Sequence, residues 1–175
     1  MDAERFDALV SQHHGEIHRY LSRVASRAGG ADDLTQETFL RAYRAHRTLP
    51  GDANCRAWLF TIATNVAKNH ARDESRRTRA HAAAVDVSDD RDGAGPEMET
   101  LSKEIRDVLA AVVAVLPLKQ RLAFTLRKVH ELDYDTIARS LDCSPEGARA
   151  HVFQALRKIR RQLNGYGFAP GRNEK

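Results

Sequence analysis

Residues 133–163 read DYDTIARSLDCSPEGARAHVFQALRKIRRQL, and the fold of this stretch decides how its surroundings are read. Asp133 suits the N-cap of a short helix, because a side-chain oxygen there accepts from an amide that the first turn leaves unpaired. That helix has Ile137, Ala138 and Leu141 as its apolar positions. Ser144-Pro145 then opens a second helix, since proline at the first helical position loses only an N–H that had no partner. Ala148, Val152, Ala155, Leu156, Ile159 and Leu163 recur at helical spacing and form one apolar face. Small Ala138 and Ala148 let the two helices approach closely, which is helix-turn-helix spacing. Asp142 stands at the turn position where glycine is usual, and aspartate tolerates left-handed backbone better than most residues.

The outer face of the second helix carries Glu146, Arg149, Ala150, Phe153, Gln154 and Arg157, with Ser144 just ahead of it. No acidic residue occurs between Gly147 and Arg172, while Arg149, Arg157, Lys158, Arg160 and Arg161 are cationic. A recognition helix in a DNA major groove needs this arrangement, with base-reading groups near its start and phosphate-binding groups around and beyond. Arg149 and Gln154 suit bidentate contacts to guanine and adenine edges respectively. The plainer reading is a solvated basic face on a helical hairpin. Turn spacing and charge segregation agree on DNA.

The rest of the chain is helical in pattern. Its 175 residues are 42% hydrophobic and 30% charged, with net charge +4 and pI near 9.3, which allows one ordinary domain or two small ones and hints at a polyanionic partner. Strand alternation is nearly absent, and the periodicity predicts an all-α fold with helices at 4–27, 31–47, 53–76, 101–115, 118–130, 133–141 and 145–163. Between about 80 and 100, HAAAVDVSDDRDGAGPEMET has almost no large apolar residue and is acidic from Asp86 onward. Such a segment buries too little to offset its ordering entropy and is predicted to be a flexible acidic linker. The expected organisation is a helical module at 1–79, the linker at 80–100, a helix-turn-helix module at 101–163 and a tail at 164–175. A tether of that length has an end-to-end distance of roughly 25 Å, so the modules can sit apart on a common partner.

Several function classes recede. No apolar run approaches the roughly 20 residues that span a bilayer, and the start is acidic and amphipathic, so a cytoplasmic protein without membrane insertion is expected. Cys55 and Cys143 lie outside any C-x-x-C spacing and read as buried or half-buried thiols. His14 and His18 have a zinc-compatible spacing with His13 beside them, but no acidic or cysteine ligand completes a set, so no metal or cofactor is expected. No catalytic constellation stands out.

A second stretch, WLFTIATNVAKNHARDESRR at 58–77, opens amphipathic and turns basic halfway. Trp58, Leu59, Ile62, Ala63 and Val66 form the apolar stripe, while Trp58, Thr61, Asn65, Lys68 and Arg72 line a neighbouring face. Upstream, ADDLTQETFLRAYRAH places Asp32 and Asp33 at a helix N-terminus, where the dipole favours carboxylates. Leu34, Thr38 and Ala42 share one side of that helix, with Phe39 and Tyr43 beside them. By itself it is a capped surface helix.

Three motifs in order now carry a resemblance. DDLTQETFLRAYRA resembles the core-polymerase-binding helix of the bacterial sigma-70 family, in its extracytoplasmic-function group. CRAWLFTIATNVAKNHARDESRR resembles that group's segment for melting and reading the promoter −10 element. LPLKQRLAFTLRKVHELDYDTIARSLDCSPEGARAHVFQALRKIRRQL resembles its −35-reading domain. The resemblance implies a non-enzymatic, monomeric, two-domain sigma factor that binds the bacterial RNA polymerase core and directs it to promoter DNA, and it implies an anti-sigma factor as a further partner. By position it implies that Asp33, Leu34, Gln36, Glu37, Phe39 and Arg41 face the polymerase, Phe39 having core packing as its alternative. It implies that Asn65, Lys68, Asn69 and Arg72 hold the unpaired −10 strand, with phosphate contacts from Arg76, Arg77 and Arg79. Trp58 has two readings, core packing or lining the single-strand site. A cationic row with polar and aromatic groups on a rigid helix suits the capture of splayed bases. For the duplex −35 element it implies Ser144, Glu146, Arg149, Ala150, Phe153, Gln154, Arg157 and Lys158.

Departures from the group bear on specificity. Thr61 and Thr64 stand where cations are frequent, and His151 and Gln154 replace commonly basic residues, so the −35 sequence is not given by the resemblance. The acidic linker reads as a solvated tether or, by the group's pattern, as a nucleic-acid mimic threading the polymerase cleft. A stand-alone helix-turn-helix regulator is the alternative for the whole chain; residues 5–79 speak against it, since they match core-binding and melting segments instead of a dimerisation or effector domain.

Overall fold

The computed structural model describes residues 3–25, 30–50, 52–81 and 103–165. Among them the chain forms α1 (Ala3–Val24), α2 (Gly30–Ala45), a 3-10 turn (His46–Thr48), α3 (Cys55–His81), α4 (Lys103–Ala114), α5 (Leu118–Lys128), α6 (Tyr134–Leu141) and α7 (Pro145–Gly165), with no strand. The all-α expectation stands. The predicted linker and tail fall almost wholly outside the described residues.

Local chemistry sets most helix ends. The Asn54 side chain accepts from the Ala57 amide at 3.0 Å and caps α3. That helix runs on to His81, past the predicted end at 76, because DESRRTRAH holds no glycine or proline and Asp73 pairs with Arg76 one turn on at 3.9 Å. α5 stops at Lys128, before the predicted 130. Glu131 there takes a left-handed φ of 54°, and the Leu132 amide closes back on the Leu126 carbonyl at 3.0 Å. α7 reaches Gly165, two residues past the predicted end at 163.

The helix-turn-helix forms as its residues predict. Asp133 accepts from the Thr136 amide at 2.8 Å, and this bond, outweighing a small burial cost, holds its carboxyl below the ordinary carboxylate range. Asp142 takes the left-handed turn position at φ 51°, ψ 58°. The Ser144 hydroxyl oxygen accepts from the Gly147 amide at 3.1 Å ahead of Pro145, and Ala138 and Ala148 are both buried between α6 and α7.

Helices α1–α3 make one unit and α4–α7 a second, and the two are docked. α1 and α3 lie against α5 and α6. One apolar cluster runs through the junction, joining Tyr20, Leu59, Phe60 and Ala63 to Leu122, Leu126, Ile137 and Leu141. Val112, Leu116, Ala155 and Ile159 form a separate cluster inside the second unit. The linker allows the two units to sit apart on a common partner; among the described residues they pack against each other.

Candidate nucleic-acid interface

The outer face of α7 is open. Ser144, Glu146, Arg149, Ala150, Phe153, Gln154, Arg157 and Lys158 are all exposed, and Phe153 keeps 65% of its surface in solvent. The opposite face of the helix buries Ala148, Val152, Ala155 and Ile159, so core packing fixes which way the cations point. Gln154 accepts a hydrogen bond from Gln120 of α5 at 2.7 Å. His151 lies half-buried beside this face; burial, and then the charge of Lys119, push its pKa down, so it adds no cation at neutral pH. The arrangement offers a guanidinium, an amide and an aromatic ring near the helix start and cations further along, which suits a duplex groove.

The row on α3 is divided. Asn69, Arg72, Arg76, Arg77 and Arg79 are exposed. The earlier part is covered by α6. Thr61 Oγ1 lies 3.0 Å from Ser140 Oγ. Lys68 Nζ donates to the Ser140 carbonyl and to Asn65 Oδ1, each at 3.3 Å, and forms an ion pair with Asp142. Only 12% of the Lys68 side chain reaches solvent. The hydrogen bond from Lys68 holds the Asp142 carboxyl below its usual range. Asn65 is half-buried, and Trp58 is half-buried against the apolar cluster. A strand laid along this row meets open cations downstream and a helix upstream.

A polar cluster beside that junction went unnoticed in the sequence. His130, at the end of α5, is buried with its ring 4.6 Å from Phe60 and 5.5 Å from Tyr20. Its Nδ1 lies 3.3 Å from Glu16 Oε1, and an ionised carboxylate only accepts, so Nδ1 carries the proton. Arg56 Nε donates to both Glu16 oxygens at 3.1 and 3.0 Å, and Arg56 Nη2 donates to the His130 carbonyl at 2.9 Å. Burial pushes the His130 pKa down to about 4 against the pull of Glu16. Burial raises the Glu16 carboxyl, but its bonds from Arg56 and His130 outweigh that and leave it below its ordinary value. These three residues come from α1, α3 and the end of α5, so no local pattern announces them.

On α2 the named residues separate by burial. Asp33 and Gln36 are exposed, and Glu37 accepts from Arg41 Nε at 2.6 Å on the same face. Leu34 and Phe39 are buried in the core, Phe39 stacking on His14 at 5.6 Å, so neither offers surface to a partner in this arrangement. Core packing is the alternative the sequence had left open for Phe39. The outward apolar surface of α2 is instead Leu40 at 41% and Tyr43 at 51% exposure. Their spacing from Asp33 and Gln36 carried that signal, since i+3, i+4 and i+7 share a face. His18 bonds Asp32 at 2.9 Å, and no group of three or more potential metal ligands gathers among the described residues. None of the described helices is long and apolar enough to cross a membrane.

Comparison with known proteins meets the same two units. The sigma-70 region 2 family matches residues 9–77, and sigma-70 region 4 matches 106–159. The ECF RNA polymerase sigma-E factor of Escherichia coli K12 is 32% identical over 165 residues, covering 90% of this chain and 86% of its own. That of Haemophilus influenzae is 30% identical over 169 residues, covering 93% and 89%. Among solved structures, sigma factor RpoE of Bartonella quintana, in complex with the anti-sigma factor NepR, superposes with a TM-score of 0.79 at 20% identity, covering 93% of this chain and 98% of its own. CnrH in complex with the cytosolic domain of CnrY gives 0.64 at 19%, covering 94% and 90%. At those identities the superpositions speak for the fold. The two matched regions, in this order and at this identity to sigma-E factors, place the chain in the extracytoplasmic-function group of the sigma-70 family.

Proposed function

We propose that this protein is an alternative sigma factor that binds RNA polymerase core in the cytoplasm and directs it to particular promoters, leaving the chemistry of nucleotide addition to the polymerase. The carrying observation is the division of cationic surface between the open face of α7 and the distal half of α3, on two different helical units. Residues 101–163 read the duplex −35 element through the α7 face, and residues 1–79 hold the unpaired −10 strand along α3. Asp33, Gln36, Glu37 and Arg41, with Leu40 and Tyr43, form the surface offered to the polymerase. The acidic segment at 80–100 tethers the two.

In the docked arrangement α6 lies over Thr61 and Lys68, so the upstream part of the α3 row becomes available only when the units part. Association with core polymerase parts them. Control by an anti-sigma factor belongs to the same reading; it is supported by a structural neighbour solved in complex with such a partner.

Run-off transcription tests the proposal. Purified core polymerase with this protein, on a library of genomic fragments, yields transcripts sharing a two-part upstream motif, and core alone yields none. Failure to initiate on any fragment overturns it. Tight, sequence-specific duplex binding by the protein without polymerase favours a stand-alone regulator instead.

A further inference from the structure

Tyr134 opens α6, half-buried against the apolar cluster, and two guanidinium groups lie over its ring. Arg127 Cζ of α5 sits 4.8 Å from the ring centroid and Arg149 Cζ of α7 sits 5.0 Å from it. Arg127 is itself anchored, since its Nη1 donates to the Leu132 carbonyl at 3.0 Å. Arg149 has one further contact of note, a long approach to Glu146 Oε1 at 3.5 Å, and 57% of its side chain is in solvent.

An exposed arginine samples many rotamers, and a bidentate contact to a base edge requires one. The ordering cost falls on the binding step unless the free protein has already restricted the side chain. An aromatic face restricts a guanidinium through the ring quadrupole and dispersion, and it uses none of the N–H donors. A carboxylate such as Glu146 restrains the same group only by occupying donors that the base needs. The ring of Tyr134 therefore holds Arg149 without blunting it.

We infer that Tyr134 is a positioning residue for base readout, presenting the Arg149 fork at the start of the recognition helix toward a guanine edge while its own hydroxyl takes no part. The inference rests on the reading of α7 as the duplex-reading helix.

The test uses the full chain with core polymerase on promoter duplexes in which each −35 base pair is permuted singly, with initial run-off rates as the readout. Arg149→Ala flattens the preference at one base pair. Tyr134→Leu and Tyr134→Met keep apolar bulk but remove the π face, and each lowers the preference at that same base pair by about two- to five-fold, leaving other positions unchanged. Tyr134→Phe retains the wild-type preference. Adding Tyr134→Leu to Arg149→Ala changes the base profile no further.

The inference is overturned if Tyr134→Leu and Tyr134→Met leave that preference intact or depress all duplexes equally. It is also overturned if Tyr134→Phe behaves like Tyr134→Leu. Should Arg149→Ala flatten no position, the reading of α7 falls and this inference with it; an effect of Arg149→Ala without one of Tyr134→Leu removes the positioning role alone.

Discussion

The α3 row and the α7 face are both cationic helical surfaces, yet one is half closed and the other fully open. Lys68 has 12% of its side chain in solvent, whereas the side chain of Arg149 has 57%. The difference comes from what each helix packs against. The α7 face lies opposite its own unit's core, so folding of that unit leaves it clear. The upstream α3 row lies at the edge of the first unit's core, and the second unit covers it with Ser140 and Asp142 of the turn region. Charge in a sequence marks where nucleic acid can bind; tertiary contact decides when.

The largest expected effect comes from removing the buried centre of the junction. His130→Ala deletes a ring packed on Tyr20 and Phe60 and removes one of the bonds to Glu16, which keeps those from Arg56, weakening docking by about 3 kcal/mol. Energy transfer between dyes on exposed Gln12 and Gln162 should fall, while duplex binding by α7 is unchanged. Undiminished transfer would show that the units are held elsewhere.

Acid gives the next effect. The docked pKa of His130 is about 4 against an ordinary 6.5, so the separated units bind more protons between those values. Docking is strongest above pH 6.5 and weakens as pH falls toward 4, by about 2 kcal/mol at pH 5. The pull of Glu16 is already part of that value, and the lowered Glu16 carboxyl acts in the same direction at more acid pH. A pH-independent transfer signal between 7 and 5 would contradict the burial of this ring.

On the open face, Arg149→Ala should cost about 1.5 kcal/mol at one base pair and relax specificity there. Lys158→Ala, by contrast, should weaken binding across sequences and lower the salt slope by roughly one. Equal losses on every sequence for Arg149→Ala would place Arg149 among the phosphate contacts.

The smallest change is Asp142→Asn. Asparagine keeps the left-handed turn, so only the pairing with Lys68 is lost. Binding of a −10 single strand by the free protein should rise slightly at low salt, with no difference at high salt. A rise that persists at high salt would mean that the turn itself had shifted.

Much of this was legible in the chain. The Asp133 cap, the left-handed Asp142, the Ser144-Pro145 start and the polar outer face of α7 all follow from short-range rules, and each is where those rules put it. The burial of Leu34 follows equally from its place on the apolar side of α2. Position in a motif set Leu34 and Phe39 among surface residues; their packing sets them in the core. The exposure of Leu40 and Tyr43 follows from helical spacing too, since they share the face of Asp33 and Gln36.

The order of helices, the two separately patterned halves and the direction of the basic α7 face were determined by the sequence alone. Each depends on neighbours within a few residues, where spacing and charge translate directly into geometry. The docking of the halves, the covering of Lys68 and the neutral buried His130 were decided only in three dimensions. The hydrogen bonds across the junction join residues 72 to 114 positions apart, and no periodicity connects Glu16, Arg56 and His130 before the chain brings them together.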